Sequence, residues 1–206
     1  MIYTVGHSNH AIEHFLGLLQ AQGITLLADV RSTPYSRFNP QFRRDALLTA
    51  LQKIGIEYLF LGEELGARSK DRSCYDDGRV SYRKLAASEL FRQGIDRLLA
   101  ASKTHRVAIM CAEKDPLDCH RTILVTRELV SKGPRPLSIR EPERGVSVAH
   151  ILATGDLESH DDAMARLRRK LKIDSENLFG DADSNEQAYE LRGRQIAYVD
   201  PKLAKG

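Results

Sequence analysis

The chain opens on a short apolar run, residues 2–5, closed by Gly6, and then changes period. From Asn9 to Gln22 the apolar side chains Ile12, Phe15, Leu16 and Leu19 recur at helical spacing, with Asn9 placed to cap the helix and Gly23 to end it. The same alternation repeats along the chain. Strand-like runs fall at 24–30, 56–61, 106–111 and 146–152. Helical stretches fall at 43–53 (Leu47, Leu48, Leu51) and 81–102 (Leu85, Leu90, Ile95, Leu98, Leu99). A further helix spans 115–132, where Asp115 and Pro116 supply the cap and the first-turn residue, and Pro134 and Pro136 stop it. Strands this short and this continuously apolar are buried on both faces, and connections of helical length let them run parallel. The pattern therefore predicts an α/β fold, a mostly parallel sheet of about five strands with helices on both faces.

After Gly155 the character changes. Residues 166–172 carry five basic side chains and read as the solvated face of a helix, while 181–186 carry three acidic ones. The expected organisation is an α/β domain over residues 1–155 and a charged helical C-terminal extension over 156–206, packed on its edge. Composition agrees with one globular unit: 206 residues, 42% hydrophobic and 29% charged, with no tryptophan and a core that must be mostly aliphatic. No apolar run approaches the roughly 18–20 residues of a membrane span. The first residues lack a basic stretch followed by an apolar one, so a cytoplasmic location is expected. Three cysteines, an odd number, then point to free thiols and not to a disulfide framework. A net charge of +3 suits a phosphate-bearing ligand without amounting to a nucleic-acid footprint.

Ligands of open α/β sheets bind outside the carboxyl ends of the strands. The first strand exits into His7, Ser8 and Asn9. The second delivers Asp29, Arg31 and Ser32, then Tyr35 and Arg37. Glu63 and Glu64 follow the third, with Arg68 beyond. The fourth gives Cys111 and Glu113, then Asp115 and the run Cys119-His120-Arg121, and His150 stands near the end of the fifth. The opposite loops, near Gly23, Gly55, His105 and Gly145, carry little chemistry. This asymmetry predicts a small-molecule or nucleotide site on one rim.

Within that rim the residues admit more than one chemistry. Capping by Asp115 would set Cys119, His120 and Arg121 in early helical turns, where free N–H groups favour an anion and lower a thiol pKa. Arg121 could clamp a phosphate. Cys111 reads equally as a small hydrophobe ending a core strand. Glu113, two residues past a strand end and near Asp29 and Glu63, is placed as a general acid/base or nucleophile; it reads equally as a solvated carboxylate paired with Lys114 or Arg121. A phosphatase-type loop is rejected, since Arg121 lies ten residues after Cys111 with Glu113 and Asp115 between them. Cys111, Cys119 and His120, with His7 or His150, are ligand types for zinc or iron. Against this, adjacent residues on a helix point about 100° apart. The loop 31–44 interleaves arginine with aromatics, which suits a nucleotide or single-stranded nucleic acid as well as a rigid surface loop.

Thr4-Val5-Gly6-His7-Ser8, Asp29-Val30-Arg31-Ser32 with Pro34, Ser36-Arg37-Phe38-Asn39, Leu61-Gly62 through Gly66, Cys111-Ala112-Glu113, Cys119-His120-Arg121 and His150-Ile151 together resemble the domain of unknown function 488 family. The resemblance covers roughly residues 1–152. It implies an α/β domain with a shared polar site and names no reaction. The leading expectation is an enzyme acting on a phosphate-bearing, nucleotide or nucleic-acid-derived substrate by hydrolysis or transfer at a glycosidic or phosphoester bond. Glu113 would be the carboxylate catalyst, with Cys111 beside it and His7 or His120 carrying the proton. Arg31, Arg37 and Arg121 would hold the anion and Tyr35 would orient the ligand, with Ser8, Asp29, Ser32, Glu63 and His150 completing the site. That reading requires no cofactor. The alternatives are a metal-binding or redox module, with iron or zinc on Cys111, Cys119 and His120, and a non-catalytic nucleic-acid-binding domain. Oligomeric state is left open.

Overall fold

The computed structural model describes residues 1–131, 146–173 and 180–204, the last from residue 184 onward for side chains. The expected helix stop at Pro134 and Pro136, the helix end at Lys132, the Gly145 loop and the acidic side chains of Asp181 and Asp183 lie outside the described residues.

Five parallel strands form the body of the sheet: β1 (Ile2–Gly6), β2 (Leu26–Asp29), β3 (Glu57–Phe60), β6 (Val107–Cys111) and β7 (Val148–Ile151). A sixth, β8 (Leu157–Ser159), adds antiparallel to β7. The order is β3-β2-β6-β1-β7-β8. A separate two-stranded hairpin, β4 (Tyr75–Asp76) and β5 (Arg79–Val80), stands off the sheet. Every residue of β1, β2, β6 and β7 is buried, as continuous apolar runs require of strands covered on both sides.

Alternation of side chains along the strands divides the core in two. Tyr3, Val5, Leu27, Ala108 and Met110 meet Phe15 and Leu19 of α1 (Ile12–Ala21) and Leu47 and Leu51 of α2 (Arg44–Gln52). Ile2, Leu26, Ala28, Val107 and Ile109 face the other layer: α3 (Tyr82–Ala87), α4 (Glu89–Ala101), a π-helical segment Arg121–Thr126, α5 (Arg127–Val130), α6 (His160–Leu171) and α7 (Gly180–Ile196). β1 and β2 thus send the chain to one face. β6, lying between them, sends it to the other. A crevice must open at the carboxyl ends where these connections part.

Three local expectations change. α1 begins at Ile12 after an extended Ala11, and no side chain caps it; Asn9 precedes it in a turn where Ser8 adopts φ 47°. The stretch 81–102 is two helices. Ser88 has extended backbone and starts a second one, its Oγ accepting from the Phe91 N–H at 3.3 Å. Asp115 does cap, accepting from the Leu117 N–H, but only a single 3-10 turn, Pro116–Asp118. Cys119 is then extended (φ −134°, ψ 142°), and the π-helical segment follows.

The C-terminal residues share the same core. Ala163, Met164 and Leu167 of α6 and Ala188 and Tyr189 of α7 belong to the cluster of the second layer. Arg166 is not simply solvated: it pairs at 2.8 Å with both Asp115 and Glu158, tying α6 to the segment after β6. Beyond α7 the chain runs along the hairpin, with Val80 N–H donating to Tyr198 O and Asp200 N–H to Gly78 O. Among the described residues no helix is long and apolar enough to cross a membrane.

Candidate functional site

The exit of β2 builds one wall of the crevice. Asp29, fully buried, receives Nε and Nη2 of Arg31 at 2.7–3.2 Å and the hydroxyl of Tyr58 at 2.8 Å. Arg31 Nη1 lies 3.1 Å from His7 Nε2. A guanidinium can only donate, so His7 Nε2 accepts; its Nδ1 then donates to the Ser8 carbonyl at 2.8 Å. Both nitrogens are committed, and the ring stacks on Phe42 at 4.4 Å. Burial, then the Arg31 charge, lowers the His7 pKa to about 4. His7 is therefore a neutral prop that holds Arg31.

The floor comes from β6 and the segment behind it. Cys111 is the last residue of β6, and its Sγ lies 3.6 Å from His120 Nδ1. Cys119 Sγ lies 3.9 Å from the same nitrogen and 2.8 Å from Glu113 Oε2. The extended Cys119 lets both 119 and 120 reach Cys111, so the 100° separation expected of neighbours on a helix does not apply. His120 Nε2 donates to the Val30 carbonyl at 3.0 Å.

The charges of this group are interdependent. The hydrogen bond with Cys119, then burial, pushes the Cys111 thiol well up. Burial would raise Cys119 too, but the contact with Cys111, the Arg121 charge and His120 hold it well below the ordinary thiol value. Burial would lower His120, yet the Cys119 sulfur and Glu113 raise it. Glu113 is an exposed residue whose carboxyl end is enclosed beside the sulfurs; that burial and Cys119 shift it upward.

Arg121 points away from the crevice. It is fully buried, and its Nη1 and Nη2 donate to the carbonyls of Glu113 (2.7 Å) and Lys114 (3.3 Å). Its role is to bend the loop that presents Glu113. Gly6 completes the fit: a Cβ there would stand 1.9 Å from the Glu113 carbonyl oxygen.

Above the floor the crevice widens to a cavity of about 460 Å³ lined by His7, Ser8, Arg31, Ser32, Tyr35, Cys111, Glu113 and His120 among the residues read from sequence. Arg68 and Tyr198 also line it. Arg68 stacks over Tyr198 at 4.7 Å, and its backbone N–H donates to Ser32 Oγ at 3.0 Å. Arg68 stood at the third strand's exit, where its residue type and position are the available signal. Tyr198 is brought in by the C-terminal segment, and no pattern in the sequence announces it. Arg37 and Glu63 are exposed and outside the lining. His150 is buried elsewhere, between Thr4 Oγ1 (2.8 Å) and His160 Nδ1 (3.2 Å), with His160 Nε2 in turn 2.6 Å from the Tyr189 hydroxyl.

Among known families, residues 11–127, more than half of the chain, match the family described as "Domain of unknown function DUF488". Neither the curated proteins nor the solved structures give a significant match. The matched segment runs from the start of α1 to the π-helical turn and so includes Asp29, Arg31, Cys111, Glu113, Cys119 and His120. By that match, and by the strand-end motifs it contains, the chain belongs to the DUF488 family.

Proposed function

We propose that this protein is an enzyme whose reaction centre is the strand-end cavity and whose substrate is phosphate-bearing and nucleotide-like. The observation that carries the reading is the placement of Glu113. Its carboxylate opens on the cavity, its pKa is raised by its surroundings, and it faces a wall that includes Arg31 and Arg68. Burial and the neighbouring Cys119 sulfur favour its protonated form relative to an ordinary carboxylate, the direction in which a general acid/base is tuned. Arg31 is half spent on Asp29, so Arg68 is the stronger anion contact, helped by the hydroxyls of Ser8 and Ser32. Tyr35 and Tyr198 also line the cavity, with Arg43 and Arg68 stacked on one face of each ring, so that a base would stack on the opposite face. A cavity of about 460 Å³ accommodates a mononucleotide.

The chemistry that fits is hydrolysis or transfer at a glycosidic or phosphoester bond, with Glu113 taking the proton of the attacking nucleophile or supplying that of the leaving oxygen. His120 stands behind Glu113 with a partnered Nε2, and His7 props Arg31. Tyr35 (61% exposed) lines the cavity and Phe38 (88%) follows in the same loop, exposed aromatics that favour a nucleic-acid-derived substrate over a free nucleoside.

The test is a turnover screen over phosphorylated nucleosides and short oligonucleotides, run on the wild type and on Glu113→Gln. The variant is expected to bind the active compound, keep its fold and lose turnover. Full activity in Glu113→Gln removes the proposal.

A further inference from the structure

Two sulfurs and an imidazole nitrogen converge at the floor of the cavity, and acid/base chemistry by Glu113 does not account for that convergence. We propose that Cys111 Sγ, Cys119 Sγ and His120 Nδ1 bind one divalent ion of the zinc type, with its fourth position open to the cavity beside Glu113. The inference rests on reading this cavity as the reaction centre, and its test measures metal and not turnover, so that either can fail alone.

Distances come first. The three ligand atoms lie within 4.8 Å of one another, with the sulfur–nitrogen separations at 3.6 and 3.9 Å. A tetrahedral ion with Zn–S near 2.3 Å and Zn–N near 2.0 Å holds its ligands about 3.5–3.8 Å apart. No large movement is needed to seat it.

Orientation comes second. The bond from His120 Nε2 to the Val30 carbonyl leaves the Nδ1 lone pair as the atom that meets both sulfurs. A ligating histidine is commonly fixed in this way, by donating its other ring N–H to a carbonyl. The backbone N–H of Arg121 approaches Cys119 Sγ at 3.4 Å, a contact that supports a thiolate.

Charge comes third. Two thiolates and one divalent ion sum to zero. Binding releases the thiol protons to solvent and leaves no net charge among the buried ligands, where an unpaired one is costly. Soft thiolate donors select zinc-type ions over magnesium or calcium. Three protein ligands with an open position match catalytic zinc sites, whereas structural ones close with four. Cys111 and His120 line the cavity and Cys119 lies beneath it, so the open side faces the ligand space.

The full-length chain, purified reduced and without an affinity tag, should carry about one equivalent of zinc by elemental analysis, as a three-ligand site predicts. After removal of the zinc by a chelator, cobalt(II) should bind in a 1:1 ratio with intense visible bands of tetrahedral geometry and sulfur-to-cobalt charge transfer. Cys111→Ser and Cys119→Ser should each weaken the charge-transfer bands. Glu113→Gln should leave them in place, since Glu113 is not a ligand. Should either serine variant fail to fold, the wild-type cobalt spectrum still decides. Absence of the bands in reduced wild type, their persistence unchanged in Cys119→Ser, or a Cys111–Cys119 disulfide in the chain as isolated would overturn the proposal. Stoichiometric metal without turnover of any phosphorylated compound would leave the metal site standing and remove the enzyme reading.

Discussion

His120 Nε2 donates to the carbonyl of Val30 at 3.0 Å, across 90 residues of sequence. Val30 follows the last residue of β2 and its own N–H donates to Met110 of β6, so the imidazole is anchored to the strand beside the one that ends in Cys111. The ring cannot turn without orphaning that carbonyl, and Nδ1 is held toward the sulfurs. His120→Ala removes the ring from a buried position and leaves the Val30 carbonyl unpaired. A loss of about 2–4 kcal/mol in folding stability is expected, from the void and the unmet acceptor together. Urea unfolding measures it; an unchanged midpoint would mean that the anchor carries no stability.

Gly6, at the end of β1, packs directly against the loop that carries Glu113. A methyl group there would overlap the Glu113 carbonyl oxygen at 1.9 Å and crowd Arg121 Nη2 at 3.2 Å, and a backbone oxygen held by a buried arginine has little room to retreat. Gly6→Ala should destabilise by about 3 kcal/mol through overpacking. It should also displace Glu113, so that any activity falls further than stability explains at a temperature where the variant is still folded. A variant with wild-type melting and wild-type turnover would contradict this account of the loop.

The Asp29–Arg31 pair is buried on both sides, at 0% and 6% exposure. Removing one partner strands the other charge, so Asp29→Asn should cost about 3–5 kcal/mol. The double substitution Asp29→Asn with Arg31→Met should recover much of that loss, because no uncompensated charge is left. Chemical denaturation of the two singles and the double closes the cycle. Additive losses would show that the two residues do not stabilise one another.

Stability should fall as pH drops from neutral. Burial lowers His150 to about 3 and His160 to about 4, and the two face each other in a pocket shared with Thr4 and Tyr189, with Arg121, Arg166 and Asp115 adding smaller effects on His150. His7 is likewise held at about 4. Each folded-state value is below the ordinary 6.5. The unfolded chain therefore binds more protons once pH falls below about 6.5, and the stability these histidines confer is lost progressively until the folded values are reached. The expected slope is on the order of 1.4 kcal/mol per pH unit for each histidine within that window. Unfolding free energies at pH 7, 6 and 5 should decline, and His160→Gln should make the decline shallower. A flat profile between pH 7 and 5 would show that these rings are not buried as neutral groups.

Much of this architecture is set by local sequence alone. Apolar runs at 2–5, 24–30 and 106–111 have the length and continuity of strands covered on both faces, and the helix-period stretches between them have the length of crossovers; together these require a parallel sheet. A parallel sheet delivers every βα turn to one rim, so strand order alone brings His7, Arg31, Cys111 and Glu113 to the same side of the molecule. What followed from tertiary structure alone depends on backbone that does not repeat. Cys119 reads as helical because Asp115 and Pro116 do start a helix, yet that helix lasts one turn, and the extended residue after it turns two thiols and an imidazole onto a common point. Arg121 has the charge of an anion clamp, but buried carbonyls of its own loop claim it. His150 pairs with His160 and Tyr189, and Tyr198 reaches the cavity from the far end of the chain. Periodicity reports which face of an element is apolar; it says nothing of where a side chain goes once the period is broken, and there only packing between distant segments decides.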